Sequence, residues 1–178
     1  ERMLVIGAGP IGLMFVALGR HLGCSVTAVG RGEKRLDAAR RLGASEVITL
    51  LGQTDLLSQA PRERRYDIVV EAVGKPETWQ AAVQLVRKGG RVNFFGGCPS
   101  GTTISLDTAL VHYSNLVLLA SFHHTPSTIR RALGFIEQGI ITARDFVDGE
   151  CPLSGLPGLF QQMTRGNRAV KTLIRVQG

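Results

Sequence analysis

Six residues near the start of the chain have the types and spacing to hold a phosphate: Gly7, Ala8, Gly9, Pro10, Ile11 and Gly12. G-x-G-x-x-G alone is a weak signal. Here it follows an apolar run at 3–6 and opens a stretch with Ile11, Met14, Phe15, Leu18 and Leu22 at helical spacing, the strand–turn–helix context the motif needs. Gly7 permits the tight turn, Gly9 lets the backbone approach a pyrophosphate, and Gly12 lets helix and strand pack closely. The phosphates would meet amide N–H groups at the positive end of the helix dipole. A glycine-rich turn in some other α/β protein is the plain alternative.

The next chemically informative residues follow a second apolar run at 25–29. A dinucleotide site normally has an acid at the end of this strand, to accept hydrogen bonds from the adenosine ribose. Gly30 stands there instead, then Arg31, with Lys34 and Arg35 in the first turn of the next helix. An acid would repel a 2′-phosphate, whereas Gly30 leaves room for one. A charge-assisted arginine–phosphate contact is worth roughly 1.5–3 kcal/mol, which gives about ten- to a hundredfold in affinity. The pattern therefore points to NADP, with NAD still possible. Two readings stay open: Lys34 and Arg35 as ordinary exposed helix residues, and Glu33 bending back to serve as the ribose acid. A first-turn glutamate also simply suits the helix dipole.

The elements that must position these residues alternate. Strands are expected at 3–6, 25–29, 46–49, 67–73, 91–95 and 116–121, and a final one at 170–176. Helices follow the glycine turn and are expected over 33–42, from Pro76 to the Gly89-Gly90 pair, after Thr125-Pro126, and over 156–164. Strand–helix alternation through the first 120 residues predicts an α/β fold, a doubly wound parallel six-stranded Rossmann sheet with helices on both faces. The expected division is a dinucleotide-binding unit at 1–145 and a C-terminal helix and strand at 146–178. No internal repeat or low-complexity tract is present.

Composition narrows the function classes. The chain has 178 residues, 44% of them hydrophobic, enough for one domain with a sizeable core. No apolar run reaches the length of a membrane span. Cys24, Cys98 and Cys151 are too far apart to suggest a disulfide framework or zinc cluster, so a reducing, cytoplasmic setting is the default. The net charge of +7 comes from seventeen arginines and four lysines. They are scattered; the densest segment, at 61–66, is short and contains an acid. That disfavours nucleic-acid binding, which needs a clustered basic face.

With these residues in place, the sequence resembles the cofactor-binding, C-terminal domain of the zinc-type medium-chain dehydrogenases, in the alcohol, sorbitol and threonine dehydrogenase branch. The resemblance covers nearly the whole chain. It is carried by VIGAGPIGL (5–13), RLDAARRLGASEVI (35–48), DIVVEAVG (67–74), LVRKGGRVNFFG (85–96) and AVKTLIRV (169–176). NADP-using members of the ketose reductase branch are similar in lacking the acid and carrying basic residues at the positions of Arg31 and Arg35.

The resemblance implies further cofactor contacts. Val73 and Gly74 fall beside the adenosine half; Gly96, Gly97, Ser121, Phe122 and His123 flank the nicotinamide. It implies hydride transfer between a nicotinamide cofactor and a secondary alcohol or ketone, with an alcohol or polyol as substrate. It places a catalytic zinc on a separate N-terminal domain, and the chain reads as a fragment without that domain, inactive alone. Subunits of the family pair through the sheet edge, so a homodimer or homotetramer is expected, with 102–106 and 116–121 as candidate edges. Polyol dehydrogenases often carry arginine where His123 stands and tyrosine at His124, which leaves the substrate contacts undecided.

Other constellations carry less. His123 and His124 are adjacent in a loop and poorly placed to converge on one metal ion. Cys98, with His112 fourteen residues on, has no activating motif. Asp148 and Glu150 read as a solvated glycine-containing turn rather than a general acid/base pair. A non-enzymatic NADP-binding module or redox sensor would share the fingerprint. A methyltransferase would also use a glycine-rich first loop, but would keep an acid where Gly30 stands.

Overall fold

The computed structural model describes residues 1–51, 56, 66–166 and 169–176. Its main sheet contains β1 (Arg2–Ile6), β2 (Ser25–Gly30), β3 (Glu46–Thr49), β4 (Tyr66–Glu71), β5 (Val86–Phe94) and β6 (Val117–Ala120), all parallel, in the order β3-β2-β1-β4-β5-β6. This is the doubly wound arrangement, in which the strand order reverses between β1 and β4.

Alternation along β1 explains the two layers. Leu4 and Ile6 pack on one face with Val69, Val92 and the Ala81, Ala82 and Leu85 side of α3 (Pro76–Leu85). Met3 and Val5 pack on the other, against Leu13 and Val16 of α1 (Pro10–His21) and Ala38 and Ala39 of α2 (Glu33–Arg41). A strand covered on both faces reads as a continuous apolar run, which is why MLVI was legible as a buried strand.

The remaining elements are α4 (Thr108–Tyr113), α5 (Pro126–Glu137), α6 (Ala143–Phe146), β7 (Val147–Pro152), α7 (Leu156–Thr164) and β8 (Lys171–Arg175). β7 and β8 form a second, two-stranded parallel sheet. Phe146 and Val170, which flank it, are buried in the same core cluster as Met3 and Val5.

Several expectations need correction. Asp148 and Glu150 lie in strand β7, not in a turn. Asp148 Oδ2 accepts from the Val170 N–H at 2.9 Å, and Glu150 Oε2 from Arg175 Nε at 2.7 Å. These side chains tie two strands together across twenty-odd residues, a pairing invisible to local pattern. Residues 102–106 form no strand; β6 is one of the two edges of the sheet, with β3 the other. β5 begins at Val86, because Gly89 and Gly90 sit in a bulge where the register against β4 shifts between Tyr66 and Ile68. Helix α4 was not anticipated, although Asp107 caps it by accepting from the N–H groups of Ala109 and Leu110 at 2.9 and 3.1 Å. The basic segment at 61–66 lies, except for Tyr66, outside the described residues.

One surface contact gives a pH-dependent contribution to stability. The Arg2 backbone N–H, and after it the Arg87 guanidinium, hold the Asp67 carboxyl below the usual carboxylate range. A lowered folded-state value stabilises the fold at pH above the unfolded carboxylate value of about 4, and the gain disappears as pH falls through the lowered value. In melts between neutral and strongly acid pH, the gap between wild type and Asp67→Asn should therefore shrink as pH drops below about 4. A gap that stays constant into strong acid would contradict this.

Candidate functional site

The C-terminal ends of β1, β2 and β4 open onto a cleft of about 570 Å³ at the point where the strand order reverses. In open α/β sheets this crevice is where ligands bind. Its walls include Gly7, Ala8, Gly9, Gly30, Arg31, Arg35, Ala72 and Val73.

The glycine turn is held from both sides. The Gly7 N–H donates to Val29 O at 2.8 Å, and the Ala72 N–H to Ile6 O at 2.9 Å. Gly7 has φ = 108°, a region that disfavours side chains, and a Cβ on it would lie 2.8 Å from Val73 Cγ2. At Gly12 a Cβ would lie 1.7 Å from the Gly7 carbonyl oxygen, so helix α1 rests directly on the turn. Gly9 differs: a Cβ there would meet nothing within 4 Å. The turn is closed against the protein at Gly7 and Gly12, and open at Gly9, on the side a ligand would approach. Pro10 occupies the first turn of α1, where its missing N–H costs nothing. The amides of Ile11 and Gly12 come at a helix start, where N–H groups lack intrahelical acceptors.

Gly30 and the basic residues are only partly as expected. Gly30 ends β2 beside the turn, and a Cβ on it would lie 2.5 Å from Ala8 Cβ. Its lack of a side chain is thus required by packing against Ala8, a reason that sequence reading missed. Arg31 is exposed and lines the cleft. Arg35 also lines it, while its Nη2 donates to Ala169 O at 3.2 Å near the start of β8. Lys34 is not among the cleft's lining residues; it faces a separate cavity of about 670 Å³, shared with Asp148, Glu150 and Cys151. Glu33 pairs with Arg40 at 2.8 Å, along the helix rather than toward the ribose position.

Val73 lines the cleft, and the other expected contacts lie at the same end of the sheet. The carbonyl of Gly97 lies against Gly74, so that a Cβ on Gly74 would be 2.5 Å from it. Ser121, Phe122 and His123 follow β6 and are exposed outside the cleft, with the His123 ring against Phe122 at 3.9 Å between centroids. Cys98 is no activated nucleophile: desolvation, then the charges of Glu71 and Glu77, push its thiol up. Among the described residues no group of three His, Cys, Asp or Glu side chains gathers to hold a metal ion.

Sequence reading missed Glu71. It ends β4, is fully buried, and accepts hydrogen bonds from the loop that walls the cleft. An acid inside the apolar run IVVEAV was the available signal. Lys75 and Thr78, also on the wall, were missed too.

The model of the zinc-binding dehydrogenase family matches residues 10–138. The chain belongs to that family. Within it, the match is to the cofactor-binding domain and to the sorbitol and threonine dehydrogenase branch. A sorbitol dehydrogenase from Bacillus subtilis (strain 168) is 28% identical over 152 residues, covering 84% of this chain and 42% of that protein. An L-threonine 3-dehydrogenase from Vibrio cholerae (strain O395) is 31% identical over 121 residues, covering 66% of this chain and 35% of that protein. A solved structure from Sinorhizobium meliloti 1021, described as a zinc-binding dehydrogenase and bound to NADP, superposes with a TM-score of 0.81 at 25% identity, covering 98% of this chain and 52% of that one. This zinc-binding dehydrogenase chain thus spans about half the length of the relatives it matches, or less. Within its described residues no helix is long and apolar enough to cross a membrane.

Proposed function

We propose that this chain is the NADP-binding part of a zinc-dependent alcohol or polyol dehydrogenase that interconverts a secondary alcohol and a ketone. The observation that carries the proposal is the cleft at the strand-order reversal. There the glycine turn is closed by protein at Gly7 and Gly12 but open at Gly9, and Gly30, with no acid to offer, lines the cleft beside Arg31 and Arg35.

The residues present fit the cofactor. Gly7, Gly9, Pro10, Ile11 and Gly12 form the pyrophosphate cradle; Gly30 and Arg31 take the 2′-phosphate end, with Arg35 behind them. Val73 and Gly74 flank the adenosine, and Gly96, Gly97, Ser121, Phe122 and His123 the nicotinamide half. Lys34, from the rim of α2, contributes charge at longer range. The bound nicotinamide supplies the hydride acceptor and donor. The chain's own residues bind and orient it and supply the surrounding electrostatics. The zinc and most of the alcohol pocket belong to a separate domain, so this chain by itself is expected to bind cofactor and turn over little. The protein is read as cytoplasmic, in keeping with three unpaired cysteines. It is read as a homodimer or homotetramer joined through β6, an apolar edge with Val117 and Leu119 half exposed.

Parallel calorimetric titrations with NADPH and NADH, at low and moderate salt, test the proposal. NADPH should bind more tightly, and Arg31→Ala should cost it about ten- to a hundredfold while sparing NADH. Because Arg31 is exposed, that advantage should shrink with added salt. Equal or tighter binding of NADH would sink the 2′-phosphate assignment.

A further inference from the structure

Glu71 is buried completely, yet its carboxylate is fully used. Oε1 accepts from the Val73 N–H at 2.8 Å, the Gly74 N–H at 3.0 Å and the Thr78 hydroxyl at 2.8 Å; Oε2 accepts from the Gly74 N–H at 3.2 Å. A buried carboxylate held this way is costly unless every partner is in place. Here the partners come from the loop after β4 and from the first turn of α3. The backbone of Glu71 reaches the other loop: its carbonyl accepts from the N–H groups of Phe95 and Gly96 at 3.0 and 2.9 Å. A Cβ on Gly96 would lie 2.6 Å from Oε2 and 2.4 Å from Gly74 N. The Trp79 indole N–H donates to Gly96 O at 2.8 Å, and its ring stacks on Phe94 at 4.1 Å. One residue therefore fixes two loops, one walling the adenosine end of the cleft and the other leading toward the nicotinamide end.

We propose that Glu71 is a positioning residue for the dinucleotide: its carboxylate sets the conformation of residues 72–74 and their spacing from residues 96–97, without touching the cofactor. This deepens the dinucleotide reading above and rests on it. The distribution of bonds makes the proposal specific. Three of the four bonds end on Oε1, so glutamine, which keeps one acceptor oxygen, should retain most of the clamp. Methionine, of similar length, keeps none.

The test is NADPH titration of wild type, Glu71→Gln, Glu71→Met and Thr78→Val, each checked by thermal melt and circular dichroism. Glu71→Met should weaken NADPH binding by about tenfold or more, with Glu71→Gln within about threefold of wild type. Rescue by glutamine separates a need for the acceptor atoms from a need for bulk. Should Glu71→Met fail to fold, Thr78→Val decides. At constant shape it removes the hydroxyl that donates to Oε1, and with it the bond that hydroxyl accepts from the Lys75 N–H, and should weaken binding by about three- to tenfold. If wild type binds NADPH and the folded Glu71→Met or Thr78→Val binds it equally well, the positioning role is overturned and the dinucleotide reading survives. If wild type binds neither NADPH nor NADH, both fall together.

Discussion

Gly12→Ala should lower the melting temperature by roughly 6–12 °C and abolish measurable dinucleotide binding in whatever remains folded. The added methyl carbon would stand 1.7 Å from the Gly7 carbonyl oxygen and 2.9 Å from its carbon, distances at which no rotamer change helps, because both neighbours are backbone. Relief requires α1 to lift from β1. That helix carries Leu13 and Val16 into the core against Val5 and Val26, so lifting it opens a packed interface. The cost of such overpacking is about 3 kcal/mol or more, at the upper end of what single insertions into cores produce. The pyrophosphate cradle shifts with the helix start, so affinity goes with stability. Differential scanning calorimetry with and without NADPH checks both; a melting point within about 2 °C of wild type would show that the turn yields more easily than its geometry implies.

Gly30→Asp should invert the cofactor preference, but only with help. The aspartate would supply the missing ribose acceptor and repel a 2′-phosphate, which together shift the NADPH-to-NADH affinity ratio by about a hundredfold. Its Cβ, however, would lie 2.5 Å from Ala8 Cβ and 3.0 Å from Ala8 N, so the single variant should lose about 1–3 kcal/mol of stability and bind both cofactors poorly. Ala8→Gly removes the nearer of those contacts. The double variant Ala8→Gly/Gly30→Asp should recover NADH binding while NADPH stays weak, and the coupling is read from a double-mutant cycle. If the single variant switches preference at full stability, the contact with Ala8 is not a constraint.

The contrast between Gly12 and Gly30 shows what was legible in the sequence. The role of Gly12 is local: turn, glycine and helix lie within one short segment, and periodicity alone reveals them. The doubly wound parallel sheet followed from strand–helix alternation for the same reason, since each βαβ unit is short and of fixed hand. The role of Gly30 depends on Ala8, and that of Glu71 on the loops at 72–74 and 95–96, contacts made by tertiary packing. Strand β7 escaped because its partner β8 is over twenty residues away, and a glycine and two acids disguised its alternation. Lys34 and Arg35 are adjacent in sequence, but successive residues on a helix point about 100° apart. Arg35 lines both the cleft and the cavity beside β7, with its guanidinium on Ala169, whereas of the two Lys34 lines only the cavity.

The strand order also bears on how the chain folds. β1 sits inside the sheet, but one of its two neighbours, β4, is encoded 65 residues later, as Met3 pairs with Ile68. During synthesis the first three strands emerge together, and one side of β1 then remains an open, apolar template until β4 leaves the ribosome. Of the two pairings that β1 makes, the one with β4 closes the longer loop and so carries the larger entropic cost. A nascent chain stalled between β3 and β4 would expose that apolar edge to pairing with other chains.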